Sequence, residues 1–280
     1  MRRRSRERTS CAIAAVAAIS SAAGCNAVLG FDDGTLAPKA CPGLEGPRGW
    51  PSCDNGEDDD CDGFTDDADA DCSYVYSVVR ASSPPRIDGD CGEYTHAQSV
   101  SLRSDASNVL TYWLLWDSTA LYVCAAVVDQ SLDCANTDPV ADRDNPVFAD
   151  DSLELYFDVD HDAGELLGWG DYKFFVNVAN VQTDSDAGDY GWNTDFESAV
   201  RREGTLNADG DTDGGFTAEL ALPWTPWGVT PPTPLSTWGA ELMWNDRDDV
   251  AGSKRSFEIW SYSADDVNSP DGWGDLLFLE

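Results

Sequence analysis

The stretch TYWLLWDSTALYVCAAVVD, Thr111–Asp129, decides the fold. Two apolar runs flank Asp117–Ala120, a short polar break in which Asp, Ser and Thr favour a turn. Each run is too short for a typical helix and rich in Val, Leu, Tyr and Trp, so the pair reads as two strands around a turn. The same texture recurs in SLELYFDVD (Ser152–Asp160), DYKFFVNVAN (Asp171–Asn180), FTAELALPW (Phe216–Trp224), WGAELMWND (Trp238–Asp246) and KRSFEIWSY (Lys254–Tyr262). NADGDTDGG (Asn207–Gly215) and DAGDYG (Asp186–Gly191) are turn clusters between them. No long segment carries a helical period. The pattern predicts an all-β chain folded as an antiparallel β-sandwich.

Composition agrees. Among 280 residues there are 11 Trp, 10 Phe and 9 Tyr against 2 Met, a bias that suits pleated surfaces. The formal net charge of −35 argues against nucleic acid, whose phosphates would be repelled. It suits cations or neutral ligands.

The N-terminus, MRRRSRERTSCAIAAVAAISSAAGC, has a basic start, a short apolar run and small residues before a cysteine. It reads as an export signal over residues 1–24, too short to span a bilayer. Ala22-Ala23-Gly24-Cys25 resembles the lipobox of bacterial lipoproteins, with alanine where leucine is usual. That resemblance implies acylation of Cys25 and an anchor on the outer membrane or cell surface; ordinary cleavage and secretion is the alternative. Residues 25–52 read as a tether rich in Gly, Pro and Ala. An exported chain meets an oxidising compartment, so disulfides are expected. Setting aside Cys11 and Cys25, seven cysteines remain, and an odd number leaves at least one unpaired within the chain.

CDNGEDDDCDGFTDDADADC, Cys53–Cys72, has the spacing of a calcium loop. Counting Asp58 as position one, Asp60 falls at three, Asp62 at five, Gly63 at six, Asp66 at nine and Asp69 at twelve. Phe64 offers its carbonyl at seven. Calcium is a hard cation that takes six to eight oxygens, which carboxylates on a curling backbone supply. The spacing resembles the calcium repeats of thrombospondin-like and dockerin-like surface proteins. The cysteine-framed form resembles a short metal-binding motif of secreted myxobacterial proteins. Extracellular modules of this kind bind at roughly 10⁻⁴ to 10⁻³ M, so calcium here is expected to stiffen the segment.

Residues 75–280 carry an ordered series of further segments. PPRIDGD (Pro84–Asp90) is similar to the opening strand of family 9 carbohydrate-binding modules. LLWDSTALYVCAAVVD, FADDSLELYFD (Phe148–Asp158), YKFFVNVAN, GGFTAELALPW, GAELMWND and the terminal GWGDLLFLE follow in that family's order. The resemblance implies a β-sandwich whose aromatic rings stack on pyranose faces, and a polysaccharide or oligosaccharide partner. Phe148 takes the place of one stacking tryptophan. Glu154 matches the acid that bonds sugar hydroxyls, and Asn177 a polar ligand to the sugar. Phe175 stands where the family has an arginine. DDVNSPDG lacks the second stacking tryptophan, for which Tyr262 or Trp260 would substitute. Trp116, Trp224 and Trp244 are expected in the core. Asp158, Asp160 and Asp162, like Asp209, Asp211 and Asp213, read as solvated turns with a further cation as the alternative.

The function expected is non-catalytic carbohydrate binding in polysaccharide recognition, with a separate glycosidase as a further partner. Three rivals remain. Paired carboxylates are the chemistry of glycosidases, yet nothing singles out two of the 52 acids. His161 and Met243 are the one pair that would hold haem. A structural surface protein with a vestigial sugar site is the third. His96 and His161 are the only histidines, which poorly supplies a histidine triad or zinc cluster.

Overall fold

Trp116 ends one strand and Leu121 lies opposite it, because the intervening turn is tied by a single carboxylate. Asp117 Oδ1 accepts the N–H of Thr119 at 2.6 Å and of Ala120 at 3.1 Å, while Asp117 N–H donates to the Ala120 carbonyl at 3.0 Å. This computed structural model describes residues 53, 55–59, 63–103, 109–208, 210–248, 255–261 and 267–280. All lie in the compact unit Pro42–Glu280. Among them no helix is long and apolar enough to cross a membrane.

Twelve strands account for most of the order: β1 (Val75–Arg80), β2 (Ser99–Arg103), β3 (Val109–Trp116), β4 (Ala120–Val128), β5 (Ser152–Asp158), β6 (Asp171–Asn177), β7 (Gln182–Asp186), β8 (Glu197–Glu203), β9 (Gly215–Pro223), β10 (Thr237–Arg247), β11 (Arg255–Ile259) and β12 (Gly274–Phe278). They run in the order β7-β6-β5-β10-β12-β1-β3-β4-β9-β8, with β11 on β10 and β2 on β3. β1 joins the two halves. Its first residues pair with β12 and its last two with β3, both in parallel, while every other strand pair is antiparallel. The expected sandwich is therefore present, with one parallel strand as its hinge line.

The core lies between the halves and follows period two, as alternation on a pleated strand requires. Leu110, Tyr112, Leu114 and Trp116 of β3, with Leu121, Val123, Ala125 and Val127 of β4, face inward. They meet Leu153, Leu155 and Phe157 of β5, Phe174 and Val176 of β6, and Trp238, Ala240, Leu242 and Trp244 of β10. Trp116, Trp224 and Trp244 are core residues, as expected. Trp260 is core too: it is buried, and its indole N–H donates to the Ala70 carbonyl at 3.0 Å, so it is not a stacking ring.

The outer faces differ. That of β3, β4 and β9 is covered by residues 81–98, held by the Cys91–Cys124 disulfide. Glu219 Oε2 accepts the N–H groups of Asp88 and Gly89 at 2.9 and 3.0 Å. PPRIDGD is thus an irregular cover, not a strand; two prolines lack N–H groups for a ladder, and Gly89 has φ +81°. The outward residues of β5, β6 and β10, among them Glu154, Tyr156, Lys173 and Asn245, are buried as well, beneath cover that includes the turn Val147–Ala149 and residues 267–273.

The end of the acidic motif packs on the sandwich. Cys53 is bonded to Cys72, and Asp69 caps the helical turn Ala70–Ser73 by accepting from Asp71 N–H at 2.7 Å. Asp71 in turn accepts from Ser101 N–H at 3.1 Å, and Ala70 is in the core. Among the described residues Cys134 is a free, buried thiol, in keeping with the odd count.

Candidate functional site

The alternation that sends Leu153, Leu155 and Phe157 inward sends Ser152, Glu154, Tyr156 and Asp158 to the opposite, outer face. Across the ladder Glu154 pairs with Phe175 of β6 and Met243 of β10, and Tyr156 with Lys173 and Glu241. Polar groups converge there. Glu154 Oε1 accepts from Asn245 Nδ2 at 2.6 Å, and its other oxygen from the Tyr156 hydroxyl. Lys173 Nζ lies 5.1 Å from the Tyr156 ring centre and 5.8 Å from that of Tyr190, and donates to Asn268 Oδ1 at 2.5 Å. Burial pushes the Glu154 carboxyl above its usual range, against the two hydrogen bonds and the Lys173 charge that pull it down. Burial and then the charge of Glu154 raise the Tyr190 hydroxyl, so Tyr190 shares this field.

Aromatic surface frames the polar set. Phe148 is 44% exposed on the turn Val147–Ala149, whose Val147 is buried against Tyr156, Phe175 and Met243. Trp273 packs edge-on against Tyr156 with ring centres 5.6 Å apart. Tyr190 is 41% exposed.

The structure places Phe148 and Glu154 on the same outer face. Asn177 is on that face as well, but its amide is fully used by the fold. Its Nδ2 donates to the Asn136 carbonyl and to Asp150 at 2.8 and 2.9 Å, and its Oδ1 accepts from the N–H groups of Ala179 and Val181. Tyr262, Cys25, Asp60 and Asp62 lie outside the described residues. Sequence reasoning missed Lys173, Asn245, Tyr190 and Trp273. Lys173 and Asn245 sit at outward positions of strands already recognised, so counting by two from Phe175 and Met243 would have found them.

Behind Phe148 lies a carboxylate centre. Asp129, Asp151 and Asp246 are buried, with one oxygen of each within 4.8 Å of the others. Asp129 Oδ1 accepts from Ser131 N–H at 2.9 Å, whereas its buried Oδ2 has no hydrogen-bond partner. Burial, reinforced by Asp246, pushes Asp129 up to about 7, and burial with the Asp129 charge pushes Asp151 well up. Three crowded carboxylates with an unsatisfied oxygen are an all-oxygen donor set suited to a hard divalent cation. Asp158, Asp160 and Asp162 form a second, more exposed group within the same distance.

Of the expected loop, Gly63 has φ +103°, the sharp turn a sixth position needs. Asp66 accepts from the N–H groups of Asn55 and Gly56 at 2.9 and 3.0 Å, and one oxygen of Asp69 caps a helix; Asp58 and Phe64 are partly buried. Asp213 is no solvated turn: it is buried and accepts from Leu132 N–H and Thr205 N–H. His161 Nε2 donates to Asp275 Oδ1 at 2.9 Å, while Met243 is buried against Tyr156 and Phe175.

A model of the family described as carbohydrate family 9 binding domain-like matches residues 92–280. The chain belongs to this family. The family 9 module from Caldicellulosiruptor kristjanssonii, solved in complex with cellotriose, is 21% identical with a TM-score of 0.56; the match covers 73% of this chain and 93% of that one. At that identity it shows a shared fold. The exoglucanase XynX of Acetivibrio thermocellus is 24% identical over 230 residues, 76% of this chain and 19% of its own length. The endo-1,4-beta-xylanase A of Thermotoga maritima is 26% identical over 204 residues, 70% of this chain and 17% of its own length. This family 9 chain thus spans about a fifth of the length of the curated relatives it matches.

Proposed function

We propose that the protein is a non-catalytic binder of β-linked gluco- or xylo-oligosaccharides. The observation that carries this reading is the convergence of Glu154, Tyr156, Lys173 and Asn245 on one outer face rimmed by Phe148 and Tyr190. A pyranose has apolar C–H faces and a rim of hydroxyls. Aromatic rings take the faces, and a carboxylate, an amide and an ammonium take the rim. A family 9 relative solved with cellotriose supports the ligand class.

Calcium belongs to the same reading. Bound by Asp129, Asp151 and Asp246, its two positive charges would offset most of the repulsion among three crowded carboxylates and hold the segment that carries Phe148. Asp58, Asp60, Asp62, Phe64, Asp66 and Asp69 form the second proposed calcium site. The sequence of residues 1–25 supports export with a lipid anchor on Cys25, and the enzymes among the family 9 relatives support a separate glycosidase as partner. Metabolic labelling with a palmitate analogue should mark the wild type and not Cys25→Ser; equal labelling would remove the anchor.

The test of function is isothermal titration with glucose, cellotriose and xylotriose. Binding by the wild type that weakens in Glu154→Ala and Phe148→Ala is expected. Absence of binding to every sugar would overturn the reading.

A further inference from the structure

The connection between β5 and β6, residues 159–170, curls over a group of acids at the end of the sheet. Asp158 ends β5 and Asp171 begins β6. They stand opposite each other in the ladder, so their side chains leave the same face. Both are buried, whereas Asp160 and Asp162 are exposed on the connection. One oxygen each of Asp158, Asp160 and Asp162 lies within 4.8 Å of the others. Oxygens that share one calcium, each about 2.3–2.6 Å from it, are at most about 5 Å apart, so the spacing fits. A solvated turn could bring three carboxylates as close. The Asp158 oxygens accept from the N–H groups of Asp162 and Ala163 at 3.3 and 3.0 Å, as such a turn requires.

A fourth carboxylate is not explained by the turn. Asp171 is 2% exposed. Its Oδ2 accepts from Gly168 N–H at 2.6 Å, whereas its buried Oδ1 has no hydrogen-bond partner. A buried carboxylate oxygen left in that state is costly. Burial pushes the Asp171 carboxyl up to about 6 against the Gly168 bond, and the charges that add to burial are those of Asp158, Asp162 and Asp160. Asp171 therefore faces this group. Gly170 lets the group close: with φ +100°, it holds its backbone where an added Cβ would meet Asp160 Oδ1 at 2.8 Å.

We propose that Asp158, Asp160, Asp162 and Asp171 form a calcium site that locks the β5–β6 connection. Asp158 and Asp171 are its floor, and Asp160 and Asp162 its open rim, through which the ion and its waters enter. An all-carboxylate set suits a hard divalent cation. The locked loop is tied in turn to the cover over the Glu154 face. The Gly164 carbonyl accepts from Asp271 N–H at 3.2 Å and the Glu165 carbonyl from Ser269 Oγ at 2.9 Å. That cover supplies Asn268 to Lys173 and Trp273 to Tyr156. The site is separate from the Asp129, Asp151 and Asp246 centre and does not depend on the sugar-binding reading.

The experiment is calcium titration of the chelator-treated full chain at pH 7, for wild type, Asp162→Asn and the double variant Asp160→Asn with Asp162→Asn. Hydrogen exchange of residues 159–170, with and without calcium, locates the ion. The double variant should bind one calcium fewer than the wild type, and Asp162→Asn should hold that ion about tenfold more weakly. Calcium should slow exchange at the N–H groups of Asp162, Ala163 and Gly168 in the wild type and not in the double variant. Both substituted side chains are exposed, so the fold should be kept; Asp162→Asn carries the test if the double variant does not fold. A double variant that binds as many ions as tightly as the wild type, or calcium that leaves exchange of residues 159–170 unchanged, would overturn the site and leave these acids to share protons instead.

Discussion

Arg247 donates through its guanidinium to Asp150 Oδ1 at 3.0 Å, where neither side chain is exposed. The same carboxylate accepts from Ala135 N–H at 2.7 Å, from the Asn136 amide at 2.9 Å and from Asn177 Nδ2 at 2.9 Å. Arg247 also donates to the Ala149 carbonyl at 3.1 Å. The pair therefore clamps β10, the end of β6 and the turn that carries Phe148. Removing one partner strands a buried charge. Arg247→Met should cost about 3–5 kcal/mol in urea unfolding. Asp150→Asn combined with it should recover part of that loss, and an additive double mutant would refute the coupling.

Glu154, the ligand group proposed above, is not one that the fold needs as a charge, because burial opposes its ionisation. Glu154→Gln should weaken sugar binding by about ten- to a hundredfold, the scale of one charged hydrogen bond, with the unfolding midpoint held or raised at pH 7. Phe148→Ala, at a half-exposed position, should lower affinity and leave stability within about 0.5 kcal/mol. A Glu154→Gln protein that binds as the wild type does would remove this acid from the site.

Glu241 gives a pH signature. It is buried and accepts from the N–H groups of Leu242, Trp260 and Ser261 at 3.0, 2.8 and 3.0 Å, and from the Ser261 hydroxyl. Burial outweighs these bonds and pushes its carboxyl up to about 7 from the ordinary 4.5. A folded-state value above the unfolded one means the proton is held more tightly in the native state. The stabilisation is complete below about pH 4.5 and is lost as pH rises through about 7. Glu241→Gln should flatten the fall in stability across this window, measured by urea midpoints from pH 4 to 8; an unchanged slope would assign the fall to other acids.

Calcium should act in the opposite sense at the Asp129, Asp151 and Asp246 centre. Thermal unfolding at pH 7 should move up with calcium and down with chelator. A cation at a hundred times its dissociation constant adds about 2.7 kcal/mol. Asp129→Asn should remove most of the shift contributed by this centre and weaken sugar binding less than Glu154→Gln does. If Asp129→Asn responds to calcium as the wild type does, the cation binds elsewhere.

Much of the fold was legible from period two alone. Thr111–Asp129, Ser152–Asp160, Asp171–Asn180 and Trp238–Asp246 all contain strands, because one buried face forces apolar residues onto alternate positions. β8, Glu197–Glu203, was not legible: it lies at the end of the strand order, mostly exposed, and ESAVRRE carries no apolar stripe. β1 was illegible for another reason. It is joined to both halves by parallel pairing, a long-range choice that no local pattern encodes. Glu154 was identified from its segment. Its partners were not, since Asn245 lies 91 residues away and Lys173 meets it only across a ladder.

By itself, the sequence determined that this chain is a β-sandwich, which faces its strands present, and that its cysteines are odd in number. Only the tertiary structure decided what covers each outer face and which polar groups meet beneath that cover. Residues 81–98 cover one face through the Cys91–Cys124 bond and the Glu219 carboxylate, while on the other Glu154, Tyr156, Lys173 and Asn245 converge behind the half-exposed Phe148 and Tyr190. The physical reason is that alternation is a local property of a strand, whereas cover, charge crowding and convergence arise from groups distant in sequence that meet when the sheets close.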